Sequence, residues 1–78
     1  STPMILTLQC PDRVGIVAAV TRCIADFGGN IRESAQFGDP QTGIHFMRVA
    51  FDAPEGAALP DFETAFAPVA QSFAMEWN

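Results

Sequence analysis

The segment with the clearest chemical potential runs from Cys10 to Ile16 and reads CPDRVGI. An apolar, β-prone run ends here and a helical pattern begins. Backbone N–H groups at a helix start, together with the helix dipole, attract a carboxylate, and Gly15 lets a ligand or a second backbone approach closely. The same residues have a structural interpretation, in which Asp12 caps the helix and Gly15 relieves packing against the sheet. From these residues alone, both interpretations stay open.

Asn30, His45 and Arg48 are the other residues whose side chains could bind a ligand or assist a reaction. Asn30 follows a glycine pair, so a turn role is the simplest interpretation, although its amide could bind the ammonium and carboxylate groups of an amino acid. His45 has no Ser, Cys or carboxylate neighbour at the spacing of a triad or a metal site, and we interpret it as a strand residue near a turn. Arg48 either points outward or pairs with a carboxylate such as Glu33.

The composition argues against several classes of function. There is no glycine-rich phosphate loop, no pair of acid/base carboxylates and no metal-ligand cluster, so we predict no catalytic residue, no metal and no cofactor within these residues. The chain has nine carboxylates but only four arginines, which are scattered along the sequence, and it has no lysine. Nucleic-acid binding needs clustered cations, so it is not expected. Cys10 and Cys23 are too few for a disulfide scaffold or a zinc cluster, which fits a reducing cytoplasm. No apolar run reaches the roughly 20 residues that span a bilayer, so no membrane contact is expected.

Periodicity predicts the elements that position the first segment. Met4 to Gln9 is predicted as a central strand, and Gly28-Gly29 ends the helix that follows it. On that helix a single apolar stripe is expected to face the core. It consists of Ile16, Val17, Val20, Cys23, Ile24 and Phe27.

The second half of the chain predicts a hairpin, a helix and a short strand. Asn30 to Phe37 is predicted as a strand with Ile31, Ala35 and Phe37 on one face. A run of turn formers then leads to a return strand over Ile44 to Asp52, with Met47, Val49 and Phe51 on its core face. Apolar residues at three- and four-residue steps predict a second helix from Leu59, kinked or broken at Pro68. A last strand begins near Met75.

The order β-α-β-β-α-β, with one apolar face on each helix, predicts an α+β ferredoxin-like sandwich formed by one domain over residues 1–78. Both helices are expected on one side of a four-stranded antiparallel sheet. Right-handed crossovers place the first and third strands at its centre.

With this order in place, Cys-Pro-Asp-x-x-Gly-Ile at positions 10–16 and Asn30-Ile31 resemble the core pattern of ACT domains. The hairpin sequence QFGDPQTG at 36–43, the FMR that follows at 46–48, and the segments FAPVA at 66–70 and MEW at 75–77 resemble the N-terminal domain of formyltetrahydrofolate deformylases. One departure is Ile44-His45, where that family commonly has Arg-Phe.

The resemblance implies a regulatory, dimer-forming module that is itself non-catalytic. A small amino acid, methionine or glycine, is expected to bind Asp12, Val14, Gly15 and Ile16 of one copy, with Asn30 and Ile31 from the same or a neighbouring copy. The parent would be a cytoplasmic homo-oligomer, a dimer or a tetramer. Its formyltransferase-like catalytic domain, with working Asn, His and Asp residues, would follow this chain. The resemblance implies that this domain would hydrolyse 10-formyltetrahydrofolate to formate and tetrahydrofolate, feeding purine synthesis.

Two alternatives stay open. The domain could be purely structural, pairing through a helix face or an exposed edge strand without a ligand. It could also be a stand-alone amino-acid sensor in control of transcription or glycine cleavage.

Overall fold

The computed structural model describes residues 2–78, and its six elements follow the predicted order. The α+β ferredoxin-like prediction is confirmed. The elements are β1 (Thr2–Pro11), α1 (Ile16–Phe27), β2 (Asn30–Asp39), β3 (Ile44–Ala53), α2 (Leu59–Ser72) and β4 (Glu76–Trp77). Among residues 2–78, no helix is long and apolar enough to span a membrane.

The sheet is antiparallel, with strand order β2-β3-β1-β4. β1 and β3 are therefore central, as predicted. They pair over their full lengths, from Thr2 opposite Ala53 to Pro11 opposite Ile44. β4 covers only two residues of β1, and the backbone of Asn78 adds two hydrogen bonds to Thr7, at 2.9 and 3.1 Å.

The core lies between one face of the sheet and the two helices. Every second residue of β1 from Met4 to Cys10 is buried, and so is every second residue of β3 from His45 to Ala53. Aromatic rings fill the space beneath the helices, with Phe62 contacting Phe51 at 5.0 Å and Phe66 at 5.6 Å between ring centroids. The helices contribute Ile16, Val20, Ile24, Phe62, Phe66 and Ala70 to this core.

Helix α1 ends at the predicted glycine pair. Gly28 has a φ of 94°, in the left-handed region that favours glycine, and the N–H of Gly29 donates to the Ile24 carbonyl at 2.8 Å. The apolar stripe is confirmed at Val20 and Ile24, which are fully buried. At Val17, which is 36% exposed, the prediction is wrong, because Val17 lies at the edge of the stripe and in the first turn.

Pro68 does not break helix α2, which continues to Ser72, so the predicted break is wrong. Pro68 and Thr64 both lie on the exposed side of the helix. Solvent can therefore satisfy the Thr64 carbonyl that the proline leaves without a donor, and the helix tolerates the interruption.

Strand β2 contains a register shift between Ile31 and Glu33. Ile31 lies opposite buried Phe51 on the helix side, whereas Ala35 lies opposite Arg48 and Phe37 opposite Phe46. The prediction that Ile31, Ala35 and Phe37 share one face is therefore wrong, because the extra residue of a β-bulge turns the following side chains over. The side of the sheet away from the helices is called the open face below. Its side chains include Ile5, Thr7, Gln9, Glu33, Ala35, Phe37, Phe46, Arg48, Ala50, Asp52 and Glu76.

Candidate functional site

The loop between β1 and α1 is held against the β2–β3 turn. The Asp12 N–H donates to the Gly43 carbonyl at 2.8 Å. The turn itself is built by Asp39, whose carboxylate accepts from the Gln41 N–H and the Thr42 hydroxyl, each at 3.0 Å. These contacts confirm the turn predicted between the second and third strands, and they fix the position of the Asp12 backbone.

Asp12 does not cap helix α1. The N-cap is Gly15, with a φ of 96°, and no side chain accepts a hydrogen bond there. The Asp12 carboxylate is directed to the hairpin instead: one oxygen lies 3.6 Å from Nδ1 of His45, and the other would lie 3.0 Å from a Cβ placed on Gly38. The predicted cap is wrong because three residues separate Asp12 from the helix, and a left-handed glycine makes the entry turn.

The first turn of α1 has no acidic side chain and no side-chain cap. The Gly15 carbonyl accepts from the Ala19 N–H at 2.9 Å, but the first N–H groups of the helix have no side-chain acceptor. A Cβ on Gly15 would meet nothing within 4 Å, so Gly15 is required by its left-handed φ and not by crowding. The prediction that Gly15 relieves packing is therefore wrong.

The accessibility of the predicted loop residues differs sharply. Val14 is 96% exposed and Asp12 is exposed, whereas Ile16 is buried in the core. A ligand at this corner can therefore reach Asp12, Val14 and Gly15, while Ile16 offers only its backbone. Arg13 fixes the other side of the loop, because its guanidinium lies 4.7 Å from the centroid of the Phe73 ring, which follows α2.

Asn30 and Ile31 lie at the opposite end of the sheet. Asn30 starts β2 opposite Asp52, while the β1–α1 corner lies at the other end of β3, where Cys10 faces His45. The seven residue steps from His45 to Asp52 correspond to about 23 Å of extended strand. One chain therefore does not bring Asn30 and Ile31 to the corner. Whether these positions bind an amino acid stays a prediction.

His45 belongs to this corner, and its interpretation as an ordinary strand residue near a turn missed its environment. The residue is 8% exposed on the helix side of β3. Within residues 2–78 its Nε2 atom has no hydrogen-bond partner, and its Nδ1 atom faces Asp12 beyond hydrogen-bond distance. The sequence did contain a signal for this burial. Counting back in steps of two residues from Phe51 through Val49 and Met47 reaches position 45, which therefore lies on the core face of β3.

Three further features are the Cys10 thiol, the position of Arg48 and the absence of a metal-binding group among the described residues. Burial raises the pKa of the Cys10 thiol; the Asp12 carboxylate raises it further, and Arg13 lowers it. Arg48 lies on the open face with its Nη1 atom 3.8 Å from Glu33, which fits both options left open for it. Among the described residues, no group of three or more His, Cys, Asp or Glu side chains is placed to hold a metal.

The fold is that of a small α+β module, and residues 4–59 match the ACT domain family. The chain belongs to that family. It is 41% identical over 75 residues to the formyltetrahydrofolate deformylase of Bacillus subtilis (strain 168), covering 94% of this chain and 25% of that protein. It is 39% identical over 75 residues to the deformylase of Corynebacterium sp. (strain P-1), covering 95% of this chain and 26% of the relative.

A solved structure of similar shape is the formyltetrahydrofolate deformylase of Pseudomonas putida KT2440. Its TM-score is 0.91 at 32% identity, and the match covers 97% of this chain and 27% of that one. The predicted resemblance to the N-terminal part of these hydrolases is confirmed. This chain spans about a quarter of the length of the relatives it matches.

Proposed function

We propose that this chain is the N-terminal regulatory and dimerisation domain of a formyltetrahydrofolate deformylase. The observation that supports this most directly is a match over nearly the whole chain to about a quarter of each deformylase. In this proposal the parent is a cytoplasmic homo-oligomer that hydrolyses 10-formyltetrahydrofolate to formate and tetrahydrofolate for purine synthesis. The catalytic residues belong to a C-terminal domain outside these 78 residues.

The regulatory ligand in this proposal is a small amino acid, methionine or glycine. Its carboxylate meets the uncapped N–H groups at the start of α1, and its ammonium meets the exposed Asp12 carboxylate. Asn30 and Ile31 come from a second copy, because one chain keeps them at the far end of the sheet. A site shared between copies gives the ligand a means of regulation, since it binds one arrangement of domains more tightly than another.

The test is a titration of the chain with glycine and with methionine, followed by amide chemical shifts. We expect saturable shifts at residues 12–16 and 30–31, and at least about tenfold weaker binding in Asp12→Asn, since one charge-assisted hydrogen bond contributes roughly 1.5–3 kcal/mol. Asp26→Asn is the matched control, because Asp26 is an exposed carboxylate on α1 that forms an ion pair with Arg22 at 3.3 Å. Unchanged shifts at both segments with both amino acids would remove the ligand from the proposal.

A further inference from the structure

The buried imidazole of His45 is a feature that the packing of the core does not explain. Within residues 2–78 its Nε2 atom has no hydrogen-bond partner, and its Nδ1 atom lies 3.6 Å from one Asp12 oxygen, just beyond hydrogen-bond distance. The following core positions of β3 are occupied by Met47, Val49 and Phe51. A buried polar atom without a partner destabilises a fold, so a histidine that packing does not require is typical of a functional position.

The Asp12 carboxylate faces this ring from the exposed loop between β1 and α1. The Asp12 backbone is held by the Gly43 carbonyl at 2.8 Å, but the side chain is 50% exposed and has room to turn. Part of that room is left by Gly38, since a Cβ there would lie 3.0 Å from the second carboxylate oxygen. A shortening of about 0.7 Å, from 3.6 Å to 2.9 Å, would bring Asp12 and His45 to the length of a charge-assisted hydrogen bond.

We propose that Asp12 and His45 form a proton-operated latch that sets the affinity of the β1–α1 loop for the ammonium group of a ligand. While His45 is neutral, the Asp12 carboxylate keeps its full charge for that ammonium group. When His45 takes up a proton, its Nδ1–H donates to the carboxylate and the imidazolium neutralises it. The latch rests on the proposed function for its ligand, whereas the pairing itself depends only on these two residues.

The strands around His45 offer no second acidic group to the ring. Among residues 2–78, Asp12 is the one carboxylate within 4.0 Å of a ring nitrogen. On β1, Cys10 lies opposite His45, and its thiol stays neutral in acid because burial raises its pKa. On β2 the opposite residue is Gly38, and the carboxylate of the adjacent Asp39 accepts two hydrogen bonds within its own turn at 3.0 Å.

The charged groups of the loop and of the helices do not replace Asp12 in this role. Arg13 lies over the Phe73 ring, 4.7 Å from its centroid. The N-terminal end of α1 carries partial positive charge, which opposes an imidazolium. The other charged side chains of the helices lie elsewhere: Arg22 pairs with Asp26, Asp61 accepts from the Ala58 N–H, and Glu63 lies beside Met4 and Leu59. Protonation of His45 therefore depends on the Asp12 carboxylate.

The direction of the pH effect follows from competition for one carboxylate. A proton on His45 and the ammonium group of the ligand each weaken the binding of the other. The affinity for an amino acid is therefore expected to fall as the pH falls. The loss should approach about tenfold, the effect expected when Asp12→Asn removes the charge altogether. A free amino acid keeps both of its charges between about pH 7.5 and pH 5.5, the range in which histidine titrates, so the ligand adds no pH dependence.

The first experiment follows the latch by NMR without a ligand. His45 is the only histidine of the sequence, so its ring resonances identify themselves. As the pH falls from about 7.5 to about 5.5, we expect the side-chain carboxyl resonance of Asp12 to move together with these ring resonances. In His45→Phe the Asp12 resonance should stay in place. The exposed Asp26 carboxyl, paired with Arg22, is the internal control and should not follow the ring.

The second experiment measures the dissociation constants of glycine and methionine at both ends of this pH range. For the unmodified chain we expect a rise of about tenfold on acidification, and Asp26→Asn should show the same rise. His45→Phe should give equal dissociation constants at both pH values. His45→Gln, whose amide takes up no proton in this range, replaces His45→Phe if that variant unfolds. Circular dichroism confirms that each chain is folded at both pH values.

The outcomes separate the latch from the ligand. A ring that stays neutral throughout, a ring that titrates while the Asp12 carboxyl resonance stays fixed, or an equal pH dependence of affinity in His45→Phe would overturn the latch. If neither amino acid binds at any pH while the Asp12 resonance still follows the ring, the amino acid is removed from the proposed function and the pairing of Asp12 with His45 is supported.

Discussion

On the two central strands, β1 and β3, alternate residues form the two faces of the sheet, and their exposures barely overlap. On β3, Phe51 is 1% exposed beneath the helices, whereas Phe46, five residues earlier, is 40% exposed on the open face. The covered face buries a continuous apolar core, while the open face mixes aromatic rings with both signs of charge. The residues that stabilise the fold and the residues available for association are thus separated by the two-residue period of the strand.

The largest expected difference between the faces comes from a matched pair of truncations. Phe51→Ala should lower the free energy of unfolding by about 3–5 kcal/mol, since it removes a ring packed against Phe62 and leaves a cavity. Phe46→Ala, on the same strand, should lower it by about 1 kcal/mol or less. Urea unfolding at a dilution where the chain is monomeric measures both. Comparable losses would show that the open face belongs to the folding core.

The positions where sequence reasoning succeeded follow simple periods. Two-residue alternation located the core face of β3, and three- and four-residue steps located both helices, because those periods reflect burial directly. The glycine pair after α1 was predictable because a left-handed helix end requires residues of that type. The strand order followed from connection rules that do not depend on individual side chains.

The errors occurred where tertiary contacts decide the local structure. Asp12 has the right residue type for a cap, but the hairpin holds its backbone and directs its carboxylate elsewhere. The bulge in β2 inserts one residue, so Ala35 and Phe37 lie on the other face of the sheet from Ile31. Counting alternate residues in the sequence does not reveal this. For the candidate site, the residue types of the β1–α1 loop were readable from the sequence, but the burial of His45 and the distance of Asn30 from that loop were not.

A second prediction concerns the close contact between α1 and the covered face. A Cβ on Gly29 would lie 2.8 Å from both the Ile24 Cγ2 atom and the Phe51 ring. Gly29→Ala should therefore lower the free energy of unfolding by about 1–3 kcal/mol through overpacking. In a Phe51→Ala background the penalty should shrink, because the ring that the methyl group meets is gone. An equal penalty in both backgrounds, measured by urea unfolding, would assign the effect to Ile24 and not to Phe51.

A third prediction concerns His45, the one buried polar side chain among residues 2–78. Since Nε2 of His45 has no partner within residues 2–78, His45→Phe should raise the free energy of unfolding by about 1 kcal/mol, as the desolvation penalty disappears. Arg48→Leu is the control on the opposite side of the same strand, where the guanidinium is half exposed; little change is expected in its monomer. A loss of stability in His45→Phe would show that the contact with Asp12 outweighs the unpaired nitrogen.

The smallest expected effect is a loss of stability at alkaline pH, and the composition leaves few other groups that titrate in that range. The chain has no tyrosine and no lysine, so above the range of the α-amino group only Cys10 and Cys23 titrate before the arginines. Burial raises the pKa of both thiols above the ordinary value of 9.0; Asp12 raises that of Cys10 further, with Arg13 opposing, and Asp26 raises that of Cys23 further. The folded state therefore holds these protons more tightly than the unfolded state does.

The sign of the pH dependence follows from that difference. Well below pH 9 both states keep their thiols protonated, and the thiols add no pH dependence; as the pH rises through 9 the unfolded state ionises first, and the free energy of unfolding falls. Urea unfolding at intervals above pH 8 should show this decline. Cys10→Ala should be less stable than the unmodified chain at neutral pH, because it truncates a buried side chain, but its alkaline decline should be shallower. Cys23→Ala removes the half-buried thiol of α1. Its alkaline decline, compared with that of the unmodified chain, measures the contribution of that thiol. A decline of equal slope in all three chains would mean that neither thiol is shielded by the fold, and the covered face would then be more open to solvent than its side-chain burial indicates.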